Sequence, residues 1–178
     1  MLNLLIYISD APIDMKDWAN VVLCDRLFQS IQDELLAVYS RQDAMKLYCI
    51  AILRVCDPGI KDNELKEAYD TSFLSDLYPD VALSRNTASV FLSDLGKATS
   101  RIIQFMRNRT AAVGIDHHLL VDGTLKSDES SVNSLSDFSR KARTKGTRDS
   151  FVLYAFDLEA MESVCSKCFP GNMLDLTS

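Results

Sequence analysis

The spacing of apolar residues changes at Gly114, and this change constrains the fold more than any other feature of the sequence. Before Gly114, apolar residues recur every three or four positions, as in helices that bury one face. After it come three short apolar or β-rich runs, around 118–122, 151–156 and 161–169. A helical half followed by consecutive strands predicts an α+β chain with two parts, 1–115 and 116–178.

Individual residues predict where helices begin and end in the first part. Asp17 and Ser84 suit the N-cap position, where a side-chain oxygen accepts a hydrogen bond from an unpaired backbone N–H. The sequence Asp57-Pro58-Gly59 predicts the end of a helix, because proline lacks the N–H and glycine adopts a left-handed exit. The first 115 residues are therefore predicted to be all-helical.

A helix-turn-helix is one interpretation of residues 63–95. A short helix at 63–73 would precede a proline-containing break and a second helix, whose outer face would carry Arg85, Asn86 and Ser89. Arginine and asparagine near a helix start can reach base edges and phosphates in the major groove of DNA. The alternative is an ordinary helical hairpin with a polar outer face.

Charge is distributed unevenly along the chain. Residues 1–83 carry 7 basic and 14 acidic side chains, residues 84–148 carry 11 and 6, and residues 149–178 carry 1 and 5. The net charge of −6 therefore conceals a middle segment of +5. A basic segment in an acidic protein is typical of contact with a phosphate backbone, although helices with one charged face also segregate charge.

The basic residues are densest in a predicted long loop between the first and second strand-like runs. Five basic residues stand among nine positions: Arg140, Lys141, Arg143, Lys145 and Arg148. Glycine and hydroxyl residues interleave them, which favours a flexible loop laid along phosphates. A solvated basic loop without a ligand is the alternative.

The residues from His117 to Asn172 also carry a family resemblance. They contain HHLLVDGTLKS, then NSLSDFSRKARTKGTRD, then SFVLYAFDLEAMESVCSKCFPGN. An acid at the end of an apolar run, a basic loop and two further strand-like runs follow in that order. This order resembles the opening of the catalytic domain in bacterial insertion-sequence transposases of the DDE type, which have an RNase H-like fold.

The resemblance implies a fold, a site and a metal. Residues 116–178 would form the first three antiparallel strands of an incomplete RNase H-like domain, and Asp122 would be the first acid of the metal-binding triad. In that family three carboxylates hold two Mg²⁺ or Mn²⁺ ions, and the second Asp and the Glu would lie beyond Ser178. The chain alone is therefore expected to lack activity. Taken without the family, Asp122-Gly123 is also a strong turn dipeptide.

The resemblance also implies partners and a setting. The chain would bind double-stranded DNA at the ends of a mobile element, and a homodimer is compatible with this role. No apolar run approaches the roughly 20 residues of a membrane helix, the opening LNLLIYI lacks the basic flank of a signal peptide, and five cysteines favour reduced thiols in the cytoplasm. Two alternatives are a non-catalytic DNA-binding or regulatory protein and a decayed transposase remnant.

Other candidate sites are weaker. Cys165 and Cys168 form a lone CxxC without the two further ligands of a zinc site. His117 and His118 are consecutive beside the first strand, so their side chains are expected to diverge. Asp157 is predicted to be a strand-end or hairpin residue and not a second catalytic acid.

Overall fold

The computed structural model describes residues 16–128, 133–139 and 147–173. Within these ranges the chain is α+β, with seven helices followed by a three-stranded antiparallel sheet. Two compact units divide the chain, Met1–Thr99 and Ser100–Ser178. The last helix therefore belongs to the same unit as the sheet.

The helices and strands have the following bounds. The helices are α1 (Ala19–Leu27), α2 (Gln29–Leu36), α3 (Arg41–Cys56), α4 (Leu65–Asp70), α5 (Leu74–Leu77), α6 (Arg85–Lys97) and α7 (Thr99–Ala112). The strands are β1 (Leu119–Ser127), β2 (Asp149–Asp157) and β3 (Glu162–Pro170).

Helix α3 is the centre of the helical unit, because six of its side chains are buried and both α1 and α2 pack against it. Ser40 caps its N-terminus by accepting a hydrogen bond from the Asp43 backbone N–H at 3.2 Å. Ser84 caps α6 in the same way through the Thr87 N–H, which confirms that prediction. The predicted cap at Asp17 is wrong, since its backbone instead pairs with the segment around Ser72.

A buried hydrogen-bond network around Asp25 joins the helices of this unit. The Tyr78 hydroxyl donates to Asp25 Oδ1 at 2.6 Å, and the Tyr48 hydroxyl donates to the Asp25 carbonyl oxygen at 3.0 Å. Gln32 donates to the Tyr78 hydroxyl oxygen at 3.0 Å. Burial, and then the nearby Asp25 carboxylate, raise the pKa of both tyrosines, so both phenols remain protonated donors.

The three strands form a sheet in the order β1-β2-β3, so β2 is the central strand. Both pairings are antiparallel, which confirms the predicted succession of three antiparallel strands. A bulge interrupts the β2–β3 register next to Ala155. Residues 158–161 connect these two strands as a hairpin, and Met161 adopts a left-handed conformation with φ of 57°.

The core of the sheet unit is small. Among the described residues of this unit, Phe151, Val152 and Val164 are the buried apolar side chains, whereas α7 buries none of its own. Gly171 closes one end of this core by donating its N–H to the Leu135 carbonyl oxygen at 3.1 Å. A Cβ atom at Gly171 would lie 2.1 Å from the Asp149 carbonyl oxygen, so only glycine fits there.

Two findings concern the cysteine thiols and the possibility of a membrane-spanning helix. The cysteines at positions 24, 49, 56, 165 and 168 are all free thiols. Among the described residues, no helix combines the length and apolar character that a membrane crossing requires.

Gly171→Ala is expected to destabilise the sheet unit by about 1–3 kcal/mol, because the added methyl group overlaps backbone atoms that cannot rotate away. Amide hydrogen exchange should become faster in β1, β2 and β3. Gly96→Ala is the matched control: nothing lies within 4 Å of its Cβ position, and alanine suits α6, so no loss is expected. Unchanged exchange in the three strands of Gly171→Ala would contradict this account.

Candidate functional site

Asp122 is the fourth residue of β1 and lies within the strand ladder, opposite Tyr154 of β2. Its side chain is exposed to solvent. The alternative that Asp122-Gly123 forms a turn is wrong, because Gly123 continues the same ladder opposite Leu153. The flanking apolar and β-branched residues of β1 favour an extended backbone over a turn here.

The sheet presents Asp122 without a second acid beside it. Side chains alternate between the two faces, so Asp122 shares its face with Tyr154 and, one strand further, Ser166. Asp149 and Asp157 occupy odd positions of β2 and therefore lie on the opposite face, as does Glu162 opposite Asp157. Among the residues of the three strands, Asp122 is thus the sole carboxylate on its face.

The apolar run that precedes Asp122 is poorly covered. Leu119, Leu120 and Val121 are 45%, 52% and 58% exposed, although they alternate between the two faces of the sheet. In this sheet β1 is also an edge strand, with β2 as its neighbour on one side. An apolar strand with an open edge is suited to pairing with a further strand.

A second group of polar side chains lies where β1 begins and β2 ends. His117 Nδ1 is 2.7 Å from Asp157 Oδ2, and His118 Nδ1 is 2.7 Å from Glu159 Oε1. The two consecutive histidines thus diverge toward different carboxylates, as expected. Asp157 Oδ1 accepts hydrogen bonds from the backbone N–H groups of Glu159 and Ala160, each at 3.0 Å, which confirms Asp157 as a hairpin residue.

These contacts raise the pKa of His117 and lower the pKa values of the two carboxyl groups, Asp157 and Glu159. The hydrogen bond to Asp157 raises the pKa of His117 above its ordinary value. The Ala160 N–H, followed by His117, lowers the pKa of Asp157. The backbone N–H of His118, followed by its ring, lowers the pKa of Glu159. The charged forms of His117 and Asp157 therefore stabilise each other.

Most of the predicted basic cluster lies outside the described residues: Arg140, Lys141, Arg143 and Lys145. The described residues on either side of this cluster, Ser139 and Arg148, make specific contacts. Ser139 is buried and its hydroxyl donates to the Asp149 carboxylate, and Asp137 and Asp149 exchange two backbone hydrogen bonds of 2.9 Å. The exposed Arg148 guanidinium lies 5.3 Å from the centre of the Phe138 ring. Ser139 and Arg148 thus lie at the N-terminal end of β2, away from the histidine pair.

In the helical unit, α6 presents the predicted polar face. Arg85, Asn86 and Ser89 are exposed, while Ala88 is buried. The connection from α4 to α6 contains α5 and is longer than the three- or four-residue turn of a typical helix-turn-helix. The helix-turn-helix over 63–95 stays a prediction.

Comparisons with protein-family models, curated proteins and solved structures find no match to this chain.

The grouping of His117, Asp157 and Glu159 could not be predicted from the sequence. Forty positions separate His117 from Asp157, and their contact depends on the β1–β2 register. The sequence shows an acid at the end of an apolar run, followed by a turn. This pattern predicts that Asp157 lies at a hairpin, but it does not indicate which residue Asp157 contacts.

The stability of the sheet unit is expected to depend on pH through His117. A raised His117 pKa contributes stability below the ordinary value near 6.5 and loses it as pH rises through the folded-state pKa. The lowered Asp157 pKa contributes stability above its ordinary value of 3.8, which is lost at lower pH. In metal-free buffer, the thermal midpoint of the wild type should exceed that of His117→Gln most between these two values. A difference that grows toward pH 9 would contradict the ion pair.

Proposed function

We propose that this chain is the N-terminal portion of a bacterial insertion-sequence transposase of the DDE type. It would act in the cytoplasm, bind double-stranded element ends and contribute Asp122 as the first acid of the metal site. The exposure of β1 is the observation that supports this proposal. Its apolar residues face solvent, its outer edge is unpaired among the described strands, and the exposed Asp122 lies near its middle. An ordinary surface hairpin has no reason to leave such a strand uncovered.

The open edge of β1 gives this proposal its physical logic. A further strand paired there would complete the hydrogen bonds of β1, and its side chains would partly cover Leu119, Leu120 and Val121 on the two faces. The same strand would bring new side chains next to Asp122, on a face where the described strands supply no other carboxylate. This arrangement suits the RNase H-like fold implied by the resemblance.

Asp122 fits the chemistry of a divalent metal ligand. It is an exposed carboxylate on a regular strand, and Mg²⁺ and Mn²⁺ prefer carboxylate oxygens. When bound, two such ions activate the attacking oxygen and stabilise the leaving oxygen of a phosphodiester. This chain would supply one ligand in the middle of a strand, where hydrogen bonds to β2 hold the backbone in place.

DNA contact would come from two regions. The basic segment from Arg140 to Arg148 would lie along phosphates, and its flanks are held by the contacts of Ser139 and Arg148. The exposed face of α6 with Arg85, Asn86 and Ser89 would reach base edges. The first contact gives affinity without sequence preference, and the second gives preference for the element end.

A second candidate is a DNA-binding regulator that shares the start of this fold and does not cleave. Among the described strands, Asp122 is the single carboxylate on its face; this favours the regulator, because one carboxylate cannot hold two metal ions. A decayed remnant would share this feature but would have no reason to bind element ends.

Replacing the five basic residues Arg140, Lys141, Arg143, Lys145 and Arg148 with alanine is expected to weaken binding to any duplex. If all five contact phosphates, the slope of log K against log salt should fall by about 4 to 5, since each neutralised phosphate releases about 0.9 counterions. Fluorescence anisotropy at several salt concentrations measures this slope. An absence of wild-type binding at low salt would remove DNA from the proposal.

A variant of α6 separates the two modes of contact. Replacing Arg85 and Asn86 with alanine should reduce the preference for the element end over random DNA by roughly 1–3 kcal/mol per lost base contact. The salt slope should change less than in the five-residue variant. The assignment of the two regions is reversed if the loop variant alone alters sequence preference.

Residues 1–178 alone are expected not to nick or join DNA with Mg²⁺ or Mn²⁺, because the Asp122 face lacks further carboxylates among the described strands. A longer protein that supplies a strand at the β1 edge should do so, and Asp122→Asn should abolish strand transfer while DNA binding persists. Gel assays of a labelled element end measure both. Metal-dependent nicking by the chain alone, lost in Asp122→Asn, would contradict the claim that the metal site of this chain is incomplete.

A further inference from the structure

Three side chains at the other end of the sheet can meet at a single point. His117, Asp157 and Glu159 each offer one ligand atom, and these atoms all lie within 4.8 Å of one another. They come from the segment before β1, the end of β2 and the hairpin turn that follows β2. We propose that His117, Asp157 and Glu159 form a binding site for a divalent transition-metal ion, separate from the metal site proposed at Asp122.

The donor set indicates which class of ion would bind. One imidazole nitrogen and two carboxylate oxygens suit Zn²⁺, Co²⁺ or Mn²⁺, whereas Mg²⁺ prefers oxygen ligands throughout. Ligand atoms around a tetrahedral ion with bonds of about 2.1 Å lie about 3.4 Å apart. The His117 Nδ1 and Asp157 Oδ2 atoms, now 2.7 Å apart, would therefore open by about 0.7 Å, and ligand atoms as far as 4.8 Å apart would close by up to about 1.4 Å. The ion would replace the hydrogen that His117 Nδ1 and Asp157 Oδ2 share across 2.7 Å.

The carboxylates are already oriented by other contacts. Asp157 is 3% exposed, and two backbone N–H groups of the turn hold its Oδ1 atom, which leaves Oδ2 directed at His117. Glu159 accepts bonds from the His118 N–H at 2.6 Å and from its ring at 2.7 Å. A carboxylate has about four lone-pair sites, so Glu159 can bind an ion and keep both bonds. Such outer contacts are typical of protein metal sites.

Gly114 provides the space that the imidazole occupies. The His117 backbone N–H donates to the Gly114 carbonyl oxygen at 3.0 Å, which folds the chain back before β1. A Cβ atom at Gly114 would lie 2.6 Å from the His117 ring. Any residue larger than glycine would therefore overlap the Cδ2–Nε2 edge of the ring and displace the imidazole from its present position, although it would remove no ligand atom.

This site does not depend on the proposed transposase function. Asp157 and Asp122 lie on opposite faces of the sheet, and three residues of β1, about 10 Å of extended chain, separate Asp122 from Leu119, the partner of Asp157. A mutation at one site should therefore leave the other unchanged. Failure of either proposal would be visible by itself.

The test is a titration of the whole chain with Co²⁺, followed by visible absorption. We expect saturable one-to-one binding, with a dissociation constant on the order of 10⁻⁶ to 10⁻⁴ M, and the bands of cobalt bound to nitrogen and oxygen. Zn²⁺ should displace the cobalt, whereas a large excess of Mg²⁺ should not. A thiolate-to-cobalt charge-transfer band would place the ion on the cysteines and would overturn the proposal.

Three variants test the assignment to these residues. His117→Ala and Glu159→Gln each remove a ligand, and Gly114→Ala displaces the His117 ring; each should weaken binding at least about tenfold. Asp122→Asn is the matched control and should bind cobalt like the wild type. Circular dichroism confirms the fold of each variant, and His117→Gln replaces any alanine variant that unfolds. Absence of saturable binding, or binding unchanged in all three variants, would overturn the proposal.

Discussion

The sheet unit depends on β2, the strand that is hydrogen-bonded on both sides. Its register with β1 places Asp122 opposite Tyr154 and brings Asp157 to Leu119, beside His117. Its register with β3 supports Phe151 and Val164, which form much of the buried apolar core. A slip of one residue would exchange the two faces and move every one of these side chains. Both candidate sites therefore depend on the same ladder.

The two candidate sites differ in how many potential ligand side chains the sheet brings together. Asp122 is held on a regular strand, and among the described strands it is the single carboxylate on its face. His117, Asp157 and Glu159 already meet, because a hairpin turn and the start of β1 converge at one end of the sheet. Ser139 and Arg148, the described residues closest to the basic cluster, lie at the opposite end of β2. One small sheet thus separates a candidate ion site from a candidate phosphate contact.

The helical unit is stabilised by a different kind of interaction. Asp25 is buried, and it is accommodated because Tyr48 and Tyr78 donate hydrogen bonds to it from α3 and from the end of α5. This polar network fixes the positions of several short helices that bury few residues each. Helix α6 has one buried residue, Ala88, and keeps its outer face of Arg85, Asn86 and Ser89 open to solvent. That face is available for the DNA contact that we propose.

The antiparallel order of the three strands was implied by the family resemblance alone. Local sequence patterns predicted the change from helices to strands, the cap at Ser84, three strand-like runs and the exposed polar face of α6. These follow from local rules, since apolar spacing and capping chemistry act over a few residues. The tertiary structure decided the rest. Asp17 pairs with a distant segment and does not cap a helix, Asp122 lies in a ladder and not in a turn, and His117 meets Asp157 across forty positions. Strand pairing brings together residues that are far apart in the chain, and no local pattern records which residues will face each other.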